Sequence, residues 1–69
     1  MLEKIIKIVS DVLREQVDIS TLREQLPQWD SLKMLQIVMA LDEEGISLPI
    51  EKVPDIHSVQ DIVTLSAGR

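Results

Sequence analysis

The chain reads as an all-α protein, a small antiparallel bundle of three main helices with a short third helix before the last one and a long first loop. Three observations predict this. Apolar residues recur at helical spacing in three separate stretches of the 69 residues. Serine, threonine or aspartate stands where the later helices would begin, as helix caps do. The second and third connections are short, and short connections make neighbouring helices antiparallel.

In the first helix, from about Leu2 to Gln16, the residues Leu2, Ile5, Ile6, Val9, Val12 and Leu13 form one stripe. Ile8 widens it, and Glu3, Lys4, Lys7, Asp11 and Arg14 fall mostly opposite. The stretch Val17 to Gln28 has no long period. Thr21 followed three residues later by Glu24 has the spacing of a capping box, so a short helical turn is predicted there. Pro27 ends it, because the residue before a proline avoids helical angles. Val17, Ile19, Leu22 and Leu26 require this loop to lie across the core.

Asp30 caps the second helix, which runs from about Leu32 to Glu44, with Ser31 on its first turn. Leu32, Leu35, Val38, Met39 and Leu41 are predicted to be buried, with Ile37 at the margin. Trp29 and Met34 have the N′ and N4 spacing of a hydrophobic staple. Gly45 suits a left-handed C-cap. Pro49 is expected as the first residue of a short turn over Ile50 to Val53. Ser58 starts the last helix, with Asp61 as its reciprocal partner and Val59, Ile62, Val63 and Leu65 facing inward. Ala67, Gly68 and Arg69 are expected to fray.

Composition narrows the chemistry. A chain of this length holds one domain, residues 1–69. With no cysteine and one histidine, His57, it lacks a disulfide framework, a thiolate nucleophile and the usual zinc ligand sets. Twelve acidic against seven basic residues give a net charge of −5. Nucleic-acid binding depends on clustered Lys and Arg, so it is not expected. No apolar run approaches the roughly 20 residues of a membrane span, and no secretory leader opens the chain. A soluble, cytoplasmic monomer is expected. Trp29 is the only aromatic residue, so the core is expected to be aliphatic, without a large ring to fix a layer.

One hydroxyl stands out. Ser31 follows the cap Asp30, where backbone N–H groups have no helical acceptor and the helix dipole favours negative charge. A phosphate ester at Ser31 would be well placed. The run Trp29-Asp30-Ser31-Leu32 contains an Asp-Ser-Leu that resembles the attachment motif of acyl carrier and peptidyl carrier proteins. The order of elements is similar over nearly the whole chain. Ile37-Val38-Met39-Ala40-Leu41-Asp42-Glu43-Glu44 is also close to that family's usual Leu-Val-Met-Ala-Leu-Glu-Glu-Glu. Trp-Asp-Ser-Leu looks like free-standing carriers of specialised biosynthesis.

The resemblance implies a carrier rather than an enzyme. Ser31 would bear a covalent 4′-phosphopantetheine arm taken from coenzyme A, Asp30 would assist the loading transferase, and Leu32 would anchor the helix start beside the arm. Cargo would be an acyl or aminoacyl thioester on the arm's thiol. Lys33, Met34, Gln36, Ile37, Met39, Ala40, Glu43 and Glu44 would form the surface that partners read. Those partners would be a phosphopantetheinyl transferase, an acyl- or adenylate-forming loading enzyme, and a downstream acyltransferase, synthase or modifying enzyme.

Four positions depart from the family pattern. Trp29 replaces a common glycine and is expected to pack on Met34. Lys33 and Gln36 stand where fatty-acid carriers have acids, which shifts partner choice away from fatty-acid enzymes. Gly45 replaces a typical core phenylalanine and would leave part of the hydrophobic plug missing. Two other readings stay open. One is an unmodified helical interaction module. The other is a small hydrolase using Asp30, Ser31 and His57, which requires Ser31 and His57 within hydrogen-bond reach.

Overall fold

A computed structural model describes residues 2–67, with side chains to residue 66. Three α-helices, α1 (Leu2–Leu13), α2 (Ser31–Glu43) and α3 (Val59–Ala67), are joined by two connections of similar length, residues 14–30 and 44–58. Each connection carries one 3-10 turn, Arg23–Gln25 and Ile50–Asp55. Among the described residues there is no β-strand, only an isolated bridge between Leu22 and Ser58.

The helix α1 buries Ile5, Val9 and Leu13, one residue per turn, with Ile6, Ile8 and Val12 partly covered. Leu2, expected inside, is exposed. The helix stops three residues short of the predicted Gln16. Arg14 takes a left-handed φ of 58°, and the Glu15 N–H reaches back five residues to the Ser10 carbonyl, as in a Schellman stop. The Ser10 hydroxyl then accepts the Val17 N–H at 3.2 Å. This turn delivers Val17 to the core, where it is buried. A longer helix would have carried it away.

Two contacts set α1 and α2 antiparallel. Gln28 Nε2 donates to the Leu13 carbonyl near the end of α1, and Lys4 at its other end pairs with Glu44 at 3.0 Å. That exposed ion pair adds at most about 1 kcal/mol. It records the register rather than causing it. Burial of Ile5, Val9 and Leu13 with Met34, Ile37, Val38 and Leu41 in one core does the holding.

The long loop crosses the core as expected through Val17, Ile19 and Leu26; Leu22 stays exposed. Its 3-10 turn begins one residue later than the Thr21–Glu24 spacing predicts. The Leu22 N–H is taken by Gln25 Oε1 at 2.9 Å. Thr21 instead closes a turn with Asp18, its N–H donating to the Asp18 carbonyl and its hydroxyl accepting the Asp18 N–H. Asp18 offers the tighter local partner, so Thr21 is drawn backwards. The loop is tied to the start of α3 by the bridge: the Arg23 N–H donates to the His57 carbonyl at 2.8 Å and the Val59 N–H to the Thr21 carbonyl at 3.1 Å.

At the end of α2, Gly45 has φ 81°. The Gly45 N–H donates to Asp42 and the Ile46 N–H to Leu41, both bonds of a Schellman motif. Ile46 and Leu41 are both buried. Gly45 is exposed, and a Cβ there would meet nothing within 4 Å. The glycine therefore leaves no hole in the core, and the missing plug expected at this position is not found; Ile46 is the residue that turns inward. Pro49 caps the second 3-10 turn from outside rather than opening it, and the turn runs on past Val53 to Asp55. Buried Leu48 and Ile56 hold its two ends.

Ser58 caps α3, its hydroxyl accepting the Asp61 N–H at 3.0 Å. Asp61 Oδ2 reaches back one residue beyond the expected partner, to the His57 N–H. Val59 and Ile62 are fully buried, while Val63 and Leu65 are only partly covered. Ala67, expected to fray, is helical; Gly68 and Arg69 lie outside the described residues.

Candidate functional site at the start of helix α2

The first turn of α2 is fixed from both sides. Asp30, in extended conformation, accepts the Lys33 N–H on Oδ1 at 2.9 Å. Its carbonyl accepts the Met34 N–H. Before it, Trp29 is buried against the core, and its indole N–H points at the Met34 sulfur, 3.3 Å away. The staple predicted from spacing is therefore present, and the indole packs inward. The core does contain one large ring, contrary to the aliphatic expectation. With cap and staple in place, Ser31 is the first helical residue and its side chain is exposed.

The described serines divide by what their hydroxyls do. Ser10 and Ser58 accept backbone N–H groups. Ser20 donates to Asp18 and Ser66 to the Val63 carbonyl. Ser31 and Ser47 are exposed, and neither hydroxyl has a hydrogen-bond partner among the described residues. Of these two, only Ser31 stands at a helix start. Its own N–H and that of Leu32 have no acceptor within the helix, so an ester phosphate on Ser31 would meet two free donors and the positive end of the dipole. A phosphopantetheine group fits this position: the hydroxyl is open, unpaired and favourable to an anion. His57 is an exposed loop residue whose N–H is held by Asp61, and no hydrogen bond joins His57 to Ser31.

The residues expected to form a reading surface separate into two faces. Met34 and Ile37 are 2% and 0% exposed, so they belong to the core and cannot be read from outside. Lys33 and Ala40 are half-buried, and Gln36, Glu43 and Glu44 are exposed. Met39 is 57% exposed, and with it Leu32 at 63% and Leu35 at 51%. These three were expected inside. They form a second apolar stripe about 140° around the helix from the buried one, counting 3.6 residues per turn. Leu32 thus anchors nothing by burial; it lies open beside Ser31. Leu35 was not among the expected surface residues. Its spacing from Leu32 and Met39 was the available sign.

One cleft lies along α2 and another against the loop that precedes it. One, of about 420 Å³, lies between the exposed stripe and the second 3-10 turn, with Leu35, Val38, Met39, Leu48 and Ile50 among its walls and Asp42 and Glu43 at one side. The other, of about 500 Å³, lies on the long-loop side and is lined by Leu22, Arg23, Glu24, Leu26, Pro27, Trp29 and His57. Arg23 was not singled out in the sequence. Its Nε donates to the Trp29 carbonyl at 3.0 Å, two residues before Ser31.

The Asp18 carboxyl is perturbed by its own turn. The Ser20 hydroxyl at 2.7 Å and the Ser20 N–H at 2.9 Å both donate to Oδ1. They hold its pKa below the ordinary value, with Thr21 adding to the effect. Both donors stabilise the charged form. The turn is part of the loop's framework and stands apart from Ser31. Among the described residues no cluster of His, Cys, Asp and Glu could hold a metal ion, and no helix is long and apolar enough to cross a membrane.

Compared with protein-family models, with curated proteins and with solved structures, the chain finds no match.

Proposed function

We propose that this chain is a carrier of the acyl or peptidyl carrier kind. It would hold an acyl or aminoacyl intermediate as a thioester on a 4′-phosphopantetheine arm joined to Ser31. One observation carries the reading. Ser31 offers an exposed hydroxyl, free of hydrogen-bond partners among the described residues, at the capped start of α2. The chain contains no cysteine, so a thioester needs an imported thiol, and the arm supplies it. In loading, the Ser31 oxygen attacks the β-phosphorus of coenzyme A. A P–O bond to serine forms, the pyrophosphate bond breaks, and 3′,5′-adenosine bisphosphate leaves. The serine proton passes to a base of the transferase.

On this reading Asp30 has two uses. Oδ1 holds the Lys33 N–H, and Oδ2, with no partner among the described residues, faces the transferase. The partner surface is the outer side of α2: Leu32, Lys33, Leu35, Gln36, Met39, Ala40 and Glu43, with Ile50 across the cleft. An exposed apolar stripe of this kind, rimmed by charge, marks a contact surface on a small protein. Lys33 and Gln36 at its upper end favour partners other than fatty-acid enzymes, in specialised biosynthesis. Glu44 is the weaker member of the set because it already pairs with Lys4. The protein acts as a cytoplasmic monomer, without nucleic acid or membrane, and performs no catalysis itself.

The test is an intact mass after incubation with coenzyme A, Mg²⁺ and a broad-specificity phosphopantetheinyl transferase. The reading predicts a gain of one phosphopantetheine in the parent protein and none in Ser31→Ala. A folded parent that gains no mass with several transferases would instead be an unmodified interaction module, docking through the same exposed stripe.

A further inference from the structure

We propose that Arg23 is a positioning residue for the arm: its guanidinium pairs with the phosphodiester on Ser31 and turns the arm into the long-loop cleft, away from the cleft beside Ile50. This inference rests on the carrier reading and adds to it where the arm lies.

Arg23 is prepared for an anion and has none. Its Nε is fixed to the Trp29 carbonyl at 3.0 Å, and its own N–H is fixed to the His57 carbonyl at 2.8 Å. Both its backbone and the base of its fork are thereby held. Among the described residues no carboxylate lies within ion-pairing distance of it; the ion pairs found join Lys4 to Glu44 and Lys7 to Asp11. The terminal NH₂ groups are left over. A planar guanidinium held by one nitrogen retains donors suited to a phosphate.

The position is right for the phosphate in particular. The carbonyl that Arg23 grips belongs to Trp29, and two residues of chain span about 7 Å at most. The first anion that loading adds to this protein therefore appears two residues along the chain from the carbonyl that Arg23 grips. No diffusing anion competes on equal terms with one tethered there.

The cleft that Arg23 lines offers the arm both apolar and polar walls. After the phosphate the arm carries a carbon with two methyl groups, then two amides, then the thiol. Besides Arg23, the cleft is lined by the apolar Leu22, Leu26, Pro27 and Trp29 and by the polar Glu24 and His57. Its volume of about 500 Å³ exceeds that of the cleft between α2 and the second 3-10 turn, whose charged residues are Asp42 and Glu43. A phosphodiester is repelled by those acids and attracted by Arg23. Glu24 in the same cleft offsets part of this attraction, and the Arg–phosphate pairing itself is expected to weaken as salt screens it.

The experiment uses the full chain loaded on Ser31 with the arm, checked by intact mass, and reads nuclear Overhauser contacts from the arm's geminal methyl groups. The expected contacts are to Leu22, Leu26 and the Trp29 ring. They disappear in Arg23→Gln and persist in part in Arg23→Lys, which keeps the charge. Contacts to Leu35, Met39 and Ile50 instead, or contacts to the loop that survive in Arg23→Gln, overturn the proposal while leaving the carrier reading intact. Should Arg23→Gln fail to fold, the loop contacts of the loaded parent are read as salt is raised: their loss supports the pairing and their persistence overturns it. A folded parent that several transferases fail to load overturns both.

Discussion

A single hydroxyl differs from its neighbours by what it does not do. Ser10, Ser20, Ser58 and Ser66 are each committed to a hydrogen bond inside the loop or helix frame. Ser31 is kept uncommitted because Asp30 does the capping and Trp29 the stapling. The same logic of local partners explains Asp18. Its carboxylate is stabilised by Ser20 donors, so its pKa lies below the ordinary aspartate value of about 3.9. A carboxyl with a depressed folded pKa contributes its full stability above the ordinary value. That contribution is lost as pH falls through the lower folded value. An NMR titration of the Asp18 carboxyl carbon should therefore give a midpoint below about 3.9, and Ser20→Ala should raise it. A midpoint at or above the ordinary value would mean that the Ser20 bonds do not hold in solution.

At the scale of elements, the second helix shows what sequence could and could not tell. Its existence, its cap and its glycine stop are all where the residues indicate, because each depends on neighbours within a few positions. Its buried face is different. Met34, Ile37, Val38 and Leu41 form one stripe and Leu32, Leu35 and Met39 another, so apolar spacing alone does not choose between them. The staple could have broken the tie but did not guide the expected stripe, which placed Leu32, Leu35 and Met39 inside. A Met34 that packs on Trp29 must face inward, and counting three, four and seven residues from Met34 gives the true core face. The end of the first helix was not legible, since no glycine or proline marks it and Arg14 adopts the left-handed turn only because Val17 has to reach the core. Nor was Arg23: its partner is a backbone carbonyl six residues away, and no residue pattern encodes that. The two faces of α2 have separable consequences. Ile37→Ala should cost about 2–5 kcal/mol of stability, while Leu35→Ala should stay within about 0.5 kcal/mol and reduce transfer to partner enzymes. Urea denaturation measures the first and a loading assay the second. Equal destabilisation by both substitutions would contradict the assignment of faces.

For the whole molecule, four segments converge at one end. The end of α1, the long loop, the start of α2 and the start of α3 meet there through Gln28, Arg23 and the Leu22–Ser58 bridge. Ser31 opens α2 there, and the cleft lined by Arg23 includes Trp29, two residues before it. The fold class follows from helical periodicity and short connections, and one core closes it. What the whole chain lacks is a thiol, and the carrier account turns on how that thiol is supplied. The most direct measurement is the site of attachment, read by fragment mass spectrometry after the transferase reaction. The account predicts one phosphopantetheine on every loaded molecule, and on Ser31. Arm found on Ser47, the other exposed and unpartnered serine among those described, or on no serine at all, would contradict it.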